Sequence, residues 1–253
     1  MSEILSIPRT LRASFVAAGL LVSFALTAGC SKQAAPEPAN EAAAEAKADE
    51  AKADEAKADE AKADEAKPEA PAVEAELGKT APAFTLKDVD GNEHALESYR
   101  GKTVVLEWFN PECPFVKHAH GEGELKTMAK DVASDSLVWL SINSGAPGKQ
   151  GHGAEATKAG MATFAMTNPV LLDETGEVGH RYGAEKTPHM FVIDGEGTLI
   201  YRGAIDNAPM GVVRDTGADM INYVAAALAD LKEGRPVGTA ESPAYGCSVK
   251  YAK

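Results

Sequence analysis

Cys113 lies in Trp108-Phe-Asn-Pro-Glu-Cys113-Pro114-Phe-Val, directly after a run of apolar residues and directly before a segment able to form a helix. A cysteine at a strand-to-helix junction sits beside free backbone N–H groups and the positive end of a helix dipole. Both favour the thiolate, which is the nucleophilic form of cysteine. Pro114 suits the first helical position. A buried, inert cysteine is the plain alternative, but the turn residues around Cys113 argue against a site inside the core.

Three other features bear on that cysteine. Lys186-Thr187-Pro188-His189-Met-Phe-Val-Ile-Asp194 places a proline immediately before a strand. Glu107 stands six residues before Cys113 in an otherwise apolar strand. A desolvated carboxyl there would hold its proton more tightly and could act as a base near neutral pH, unless it faces solvent or makes a structural hydrogen bond. Cys247, in Tyr245-Gly246-Cys247-Ser248, lies after the last helix in a tail carrying Pro236 and Pro243. Such a tail could fold back over the Cys113 face.

The elements that must position these residues alternate between strand and helix patterns. The run Thr103–Phe109 reads as a buried central strand. A helix is expected over 115–132, weakened by Gly121 and Gly123, and a second buried strand over 136–143. Further helices are expected over 154–166, 176–182 and 215–232. In the last of these Met220, Ile221, Val224, Leu228 and Leu231 fall at helical spacing. Strands over 189–194 and 198–202 flank Gly195-Glu196-Gly197 as a hairpin. The pattern predicts an α/β fold, a central mixed sheet flanked by helices.

The chain has 253 residues and a net charge of −13. Residues 31–76 hold six Lys and fourteen acidic residues. Residues 46–65 are four copies of Ala-Lys-Ala-Asp-Glu, a five-residue period that forms no apolar helical stripe. This stretch reads as a spacer, either a semi-rigid helix or a disordered acidic tether. No basic block is present, so no nucleic-acid partner is expected. Three cysteines are too few for a disulfide-dense scaffold or a four-cysteine zinc site. The loop 145–153 lacks a nucleotide-binding fingerprint, and no cofactor is expected.

Arg9 and Arg12 precede an apolar stretch from Ala13 to Ala28, which ends Leu26-Thr-Ala-Gly-Cys30. That stretch is short for a membrane span of about 20 residues and reads as an export signal. It resembles a bacterial lipoprotein signal, with Thr27 where leucine is usual. The resemblance implies an acylated Cys30 anchored in a lipid bilayer of the cell envelope, with the chain facing the periplasm. Ser31 after the cysteine leans toward the outer membrane. The expected domains are a signal over 1–29, a spacer over 30–76 and a folded domain over 77–253.

The order strand, Cys-helix, Thr-Pro, strand–turn–strand, helix resembles the thioredoxin superfamily over about residues 77–235. The resemblance implies a thioredoxin-like fold, a cis Thr187-Pro188 bond beside Cys113, and a proton-transfer role for Glu107. It also departs from that family. Val116 stands where a thioredoxin has its second cysteine. A peroxiredoxin would carry its reactive cysteine at Val116 and a Thr or Ser where Cys113 stands. The chain is more similar to a peroxiredoxin-like group of the redoxin (alkyl hydroperoxide reductase/thiol-specific antioxidant) superfamily. That group shares Gly148-Lys-Gln-Gly151 and Gly246-Cys-Ser-Val-Lys250.

The leading expectation is a thiol-disulfide redox protein with Cys113 as nucleophile and Cys247 as its resolving cysteine. A structural staple and two unrelated thiols are the alternatives for that pair. Thr187 and Pro188 would position a partner bearing a protein thiol or disulfide, a small thiol or a hydroperoxide. A thiol peroxidase and a non-catalytic binding module are the competing functions. His118, His120 and His189 could join Cys113 in a copper or zinc site. Copper chaperones of the superfamily, however, resemble Cys-x-x-x-Cys, and Lys117 occupies the second position. Neutral or solvated histidines, without metal, are therefore expected, although a protonated His189 would stabilise a Cys113 thiolate.

Overall fold

The computed structural model describes residues 74–253 apart from 214 and 216. The expected export signal, Cys30 and the repeats lie outside the described residues. A seven-stranded mixed sheet forms the centre, in the order β2-β1-β5-β4-β3-β7-β8. The strands are β1 (Thr85–Asp88), β2 (Glu93–Ala95), β3 (Thr103–Trp108), β4 (Leu137–Asn143), β5 (Val170–Leu172), β7 (His189–Ile193) and β8 (Leu199–Gly203). A separate two-stranded ribbon pairs β6 (Lys186–Thr187) with β9 (Cys247–Ser248).

β3 is the axis of the fold. It runs parallel to β4 and antiparallel to β7, and its residues 104–108 are all buried. A strand covered on both faces needs a nearly continuous apolar run, which explains Val104-Val-Leu and Trp108. Val104, Leu106 and Trp108 face one core with Phe84, Tyr182 and Phe191. Val105 faces the other, with Met128, Trp139, Met190 and Val224.

The helices are α1 (Pro114–Gly121), α2 (Leu125–Val132), α3 (Gly153–Thr163), α4 (Glu177–Tyr182) and α5 (Tyr223–Lys232). The single helix expected over 115–132 is therefore two. The N–H groups of Glu122 and Gly123 both donate to the His118 carbonyl at the break. Gly123 packs so closely there that a Cβ would stand 3.0 Å from the Ala119 Cα.

The last helix is also shorter than its periodicity predicts. The Asn222 side chain caps it by accepting from the Ala225 N–H at 2.8 Å. The residues before it are held in a non-helical path by Asn207. That side chain accepts from the Ile221 N–H and donates to the Asp219 carbonyl, each at 2.9 Å. Met220 and Ile221, expected on the packed face, are exposed. Among the described residues, no helix is long and apolar enough to cross a membrane.

Candidate active site

β3 ends at Trp108, and the chain turns through Asn110-Pro-Glu before α1 begins. Asn110 shapes this turn. Its carbonyl accepts from the Cys113 N–H at 3.1 Å, and its side-chain oxygen accepts from the Glu112 N–H at 2.9 Å. Its amide donates at 3.0 Å to the Gln150 carbonyl, which ties the glycine-rich loop to the cysteine turn. Cys113 is the N-cap residue of α1, with Pro114 at the first helical position. The sulfur therefore lies at the end of the helix where unpaired N–H groups and the dipole favour negative charge.

Thr187, the last residue of β6, and Pro188, between β6 and β7, meet Cys113. Their peptide bond is cis. The Cys113 thiol donates to the Thr187 carbonyl, with sulfur and oxygen 3.1 Å apart. The Thr187 hydroxyl is buried and has no hydrogen-bond partner among the described residues. Across the ribbon, Thr187 is in register with Cys247, and Cys247 packs against the cluster of Phe109, Cys113, Val116 and Val170. Cys113 has 0 % of its surface exposed, whereas Cys247 is half-buried. Both are free thiols.

The two thiols are pushed apart in acidity. Burial alone would raise Cys113. Donors to the ionised sulfur outweigh it, namely the Cys247 thiol, the Thr187 hydroxyl and the N–H groups of Val116 and Cys247, and the net shift is downward. Cys247 is pushed up to about 11 by burial, by donating to Cys113 and by the Cys113 charge, partly offset by Lys250. A thiolate on Cys113 beside a protonated Cys247 is the arrangement that these neighbours favour.

Glu107 stands elsewhere. It is fully buried on the face of β3 that α1 covers, and three polar side chains meet its two oxygens. His120 Nε2 lies 2.6 Å from Oε1, while Trp139 Nε1 at 3.2 Å and the Ser141 hydroxyl at 2.9 Å meet Oε2. His120, weighed in the sequence as a metal ligand and otherwise as a neutral or solvated histidine, is instead buried against Glu107, a pairing that the sequence reading missed. Cys113, Val116 and His120 fall at helical spacing on one face of α1. A buried acid one strand away needed a partner of that kind.

The other histidines diverge. His118 lies on the outer side of α1, 3.8 Å from Glu122. His189 is 8 % exposed, and burial together with the charges of Arg202 and Lys186 pushes it down to about 4. It is neutral at pH 7 and supplies no positive charge to Cys113. Among the described residues, no three His, Cys, Asp or Glu side chains converge as a metal site would require. A groove of about 710 Å³ lies at the other end of β3, lined by Thr103, Leu137, Leu228 and Leu231. It does not touch the cysteines.

The chain is 30% identical over 124 residues to the thiol-disulfide oxidoreductase ResA of Geobacillus thermodenitrificans, a match covering 49% of this chain and 66% of that protein. The chain thus spans just under two thirds of that relative. It is 27% identical over 158 residues to a Mycobacterium tuberculosis protein classed provisionally as a peroxiredoxin, covering 61% of this chain and 93% of that one. Among solved structures, an uncharacterized conserved protein of Geobacillus kaustophilus superimposes with a TM-score of 0.60 at 33% identity, covering 70% of this chain and 93% of that one. A hypothetical protein of Sinorhizobium meliloti gives 0.58 at 29%, covering 70% and 95%. The redoxin family model matches residues 76–219, which include Glu107, Cys113, Thr187 and Pro188 but not Cys247. With its central mixed sheet, helix-capping cysteine and cis Thr-Pro edge, the chain belongs to the redoxin family and has a thioredoxin-like fold.

Proposed function

We propose that this chain is a lipid-anchored thiol-disulfide redox protein of the cell envelope, exported by residues 1–29, acylated at Cys30 and held off the bilayer by the spacer 30–76. The observation that carries the redox reading is that the ribbon delivers Cys247 beside Cys113: Cys247 is in register with Thr187, whose carbonyl lies 3.1 Å from Cys113 Sγ, and it packs against the apolar cluster that contains Cys113. The likeness to a thiol-disulfide oxidoreductase supports it.

In the proposed cycle the Cys113 thiolate attacks one sulfur of a partner disulfide. The partner's S–S bond breaks, a mixed disulfide forms, and the partner's other sulfur leaves as a thiolate. Cys247 then gives up its proton and attacks Cys113. That step closes an intramolecular disulfide and releases the second partner thiolate, so two electrons pass to the partner. Thr187 and Pro188 position the partner at the edge of Cys113. Glu107 takes up and returns protons, with His120 as the side chain its carboxylate touches.

A second reading, a thiol peroxidase, draws support from the peroxiredoxin-type relative. The two are separated by offering the reduced chain a disulfide peptide and, in parallel, an organic hydroperoxide. Exchange with the peptide well above the free-thiol rate, abolished in Cys113→Ser and stalled as a mixed disulfide in Cys247→Ser, is expected. Rapid oxidation by the hydroperoxide with only free-thiol rates toward the peptide would replace this reading with the peroxidase. Free-thiol rates toward both would leave a binding module.

A further inference from the structure

After α5 the chain turns back across the Cys113 end of the sheet. The Arg202 N–H donates to the Ala240 carbonyl at 3.0 Å, and the Ser242 N–H donates to the Arg202 carbonyl at 3.2 Å. The Tyr245 hydroxyl donates to Asp206 at 2.7 Å, and its ring lies 6.0 Å from Phe115. β9 then pairs with β6. Beyond it, the Val249 N–H reaches the Glu185 carbonyl at 3.0 Å, and the Ala146 N–H reaches the Lys250 carbonyl at 2.8 Å. Tyr251 stacks on His180 at 4.0 Å and donates to the Ala184 carbonyl at 2.7 Å. Cys247 is thus anchored on both sides. Gly246 makes the approach possible, because a Cβ there would run into the Thr187 carbonyl oxygen.

The seated tail has two effects on access. It takes up the β6 edge next to Pro188, and it leaves Cys113 with no exposed surface while Cys247 keeps some, beside the exposed Ser248. Thiol-disulfide exchange requires the incoming thiolate to reach the sulfur that it attacks.

We infer that in the oxidised protein a partner thiolate is received on Cys247, with Cys113 as the internal sulfur that leaves. The inference rests on the redox-pair reading above and names the class of substrate for the return half of the cycle, a thiol. The partner thiolate bonds to Cys247 Sγ, the Cys113–Cys247 bond breaks, and Cys113 departs as a thiolate. The partner's second thiol, or a second thiol molecule, loses its proton and attacks the partner sulfur. Cys247 is released and takes up a proton. Two electrons have then passed from the partner thiols to the protein, and a partner disulfide of more positive potential serves as the oxidant that restores the bond. Leaving groups of lower pKa leave faster, and the environment of Cys113 stabilises its thiolate while that of Cys247 does not. Lys250 adds positive charge near Cys247, which favours an anionic nucleophile. In the other half of the cycle, Cys113 meets a partner disulfide only when the tail lifts.

The test oxidises the full chain with glutathione disulfide, removes the excess and maps the bond by mass. Reduced glutathione is then added, and acid-quenched samples are mapped from the earliest accessible time. The expected first adduct is glutathione on Cys247 with Cys113 free, at least tenfold over the reverse. A first adduct on Cys113, or equal amounts on both, overturns the inference. A parallel series with a reduced cysteine peptide separates the sources of the thiol, and there too the adduct is expected on Cys247. If the oxidised chain shows no Cys113–Cys247 bond before any thiol is added, the redox-pair reading fails and the inference falls with it.

Discussion

Two buried polar clusters sit one register step apart on the β3/β7 pair, where Glu107 faces Met190 and Trp108 faces His189. Around Glu107 the hydrogen bonds are complete, with three side chains from two elements, α1 and β4, on the two carboxyl oxygens. Around Cys113 they are not. A threonine hydroxyl is buried without a partner, a histidine is held neutral among cations, and two thiols lie in one cluster unbridged. Burying a polar group costs free energy unless it is paired. The first cluster therefore acts as a strut of the fold while it holds the carboxyl proposed above as the proton relay. The second is left incomplete in the thiol state and becomes better satisfied when Cys113 ionises.

The largest expected contrast comes from removing the strut. Glu107→Ala leaves His120, Trp139 and Ser141 without their acceptor, and stability in urea unfolding is expected to fall by about 3–5 kcal/mol. Glu107→Gln, which keeps the shape and one acceptor, should cost less. A loss under about 1 kcal/mol in the alanine variant would show that the cluster is not the strut described.

The next effect belongs to His189 and depends on pH. Its folded pKa, about 4, lies below an ordinary value near 6.5. A depressed histidine is fully compatible with the fold above about pH 6.5. As pH falls toward 4 the unfolded chain binds the proton first, and stability drops by about 3 kcal/mol in total. In His189→Gln the difference in stability between pH 7 and pH 4 should shrink by about that amount. An unchanged difference would place the titration elsewhere.

The smallest expected effect on stability is at Thr187. Thr187→Val removes a hydroxyl that is unpartnered in the thiol state and favours the ionised Cys113 sulfur. Stability should change by less than about 1 kcal/mol, while the pH midpoint for alkylation of Cys113 rises because a donor to the thiolate is gone. A large loss of stability with an unmoved midpoint would reverse the contrast between the two clusters.

The sequence is a good guide where burial is two-sided. The run Val104–Phe109 could hardly be anything but a covered strand, and Pro114 marked the start of α1. It is a poor guide where side-chain hydrogen bonds compete with periodicity. Met220 and Ile221 fit a helix, but Asn207 and Asn222 divert the chain before it starts. The meeting of Cys113, Thr187 and Cys247 was only partly legible. The fold-back of the tail could be expected from its prolines and its cysteine. The β6/β9 ribbon that delivers it has two residues per strand and no apolar alternation to betray it. The acid at Glu107 was visible as an anomaly in its strand, yet its saturation by His120, Trp139 and Ser141 depends on three elements whose contact no local pattern reports.

The central claim is that the incomplete cluster is a reversible redox pair. The full chain should be equilibrated across a series of glutathione potentials, its thiols trapped and its peptides mapped by mass. The account predicts a Cys113–Cys247 disulfide that forms and breaks reversibly at a potential above about −300 mV. Two free thiols at every potential, or a bond that persists under the most reducing condition, would contradict it.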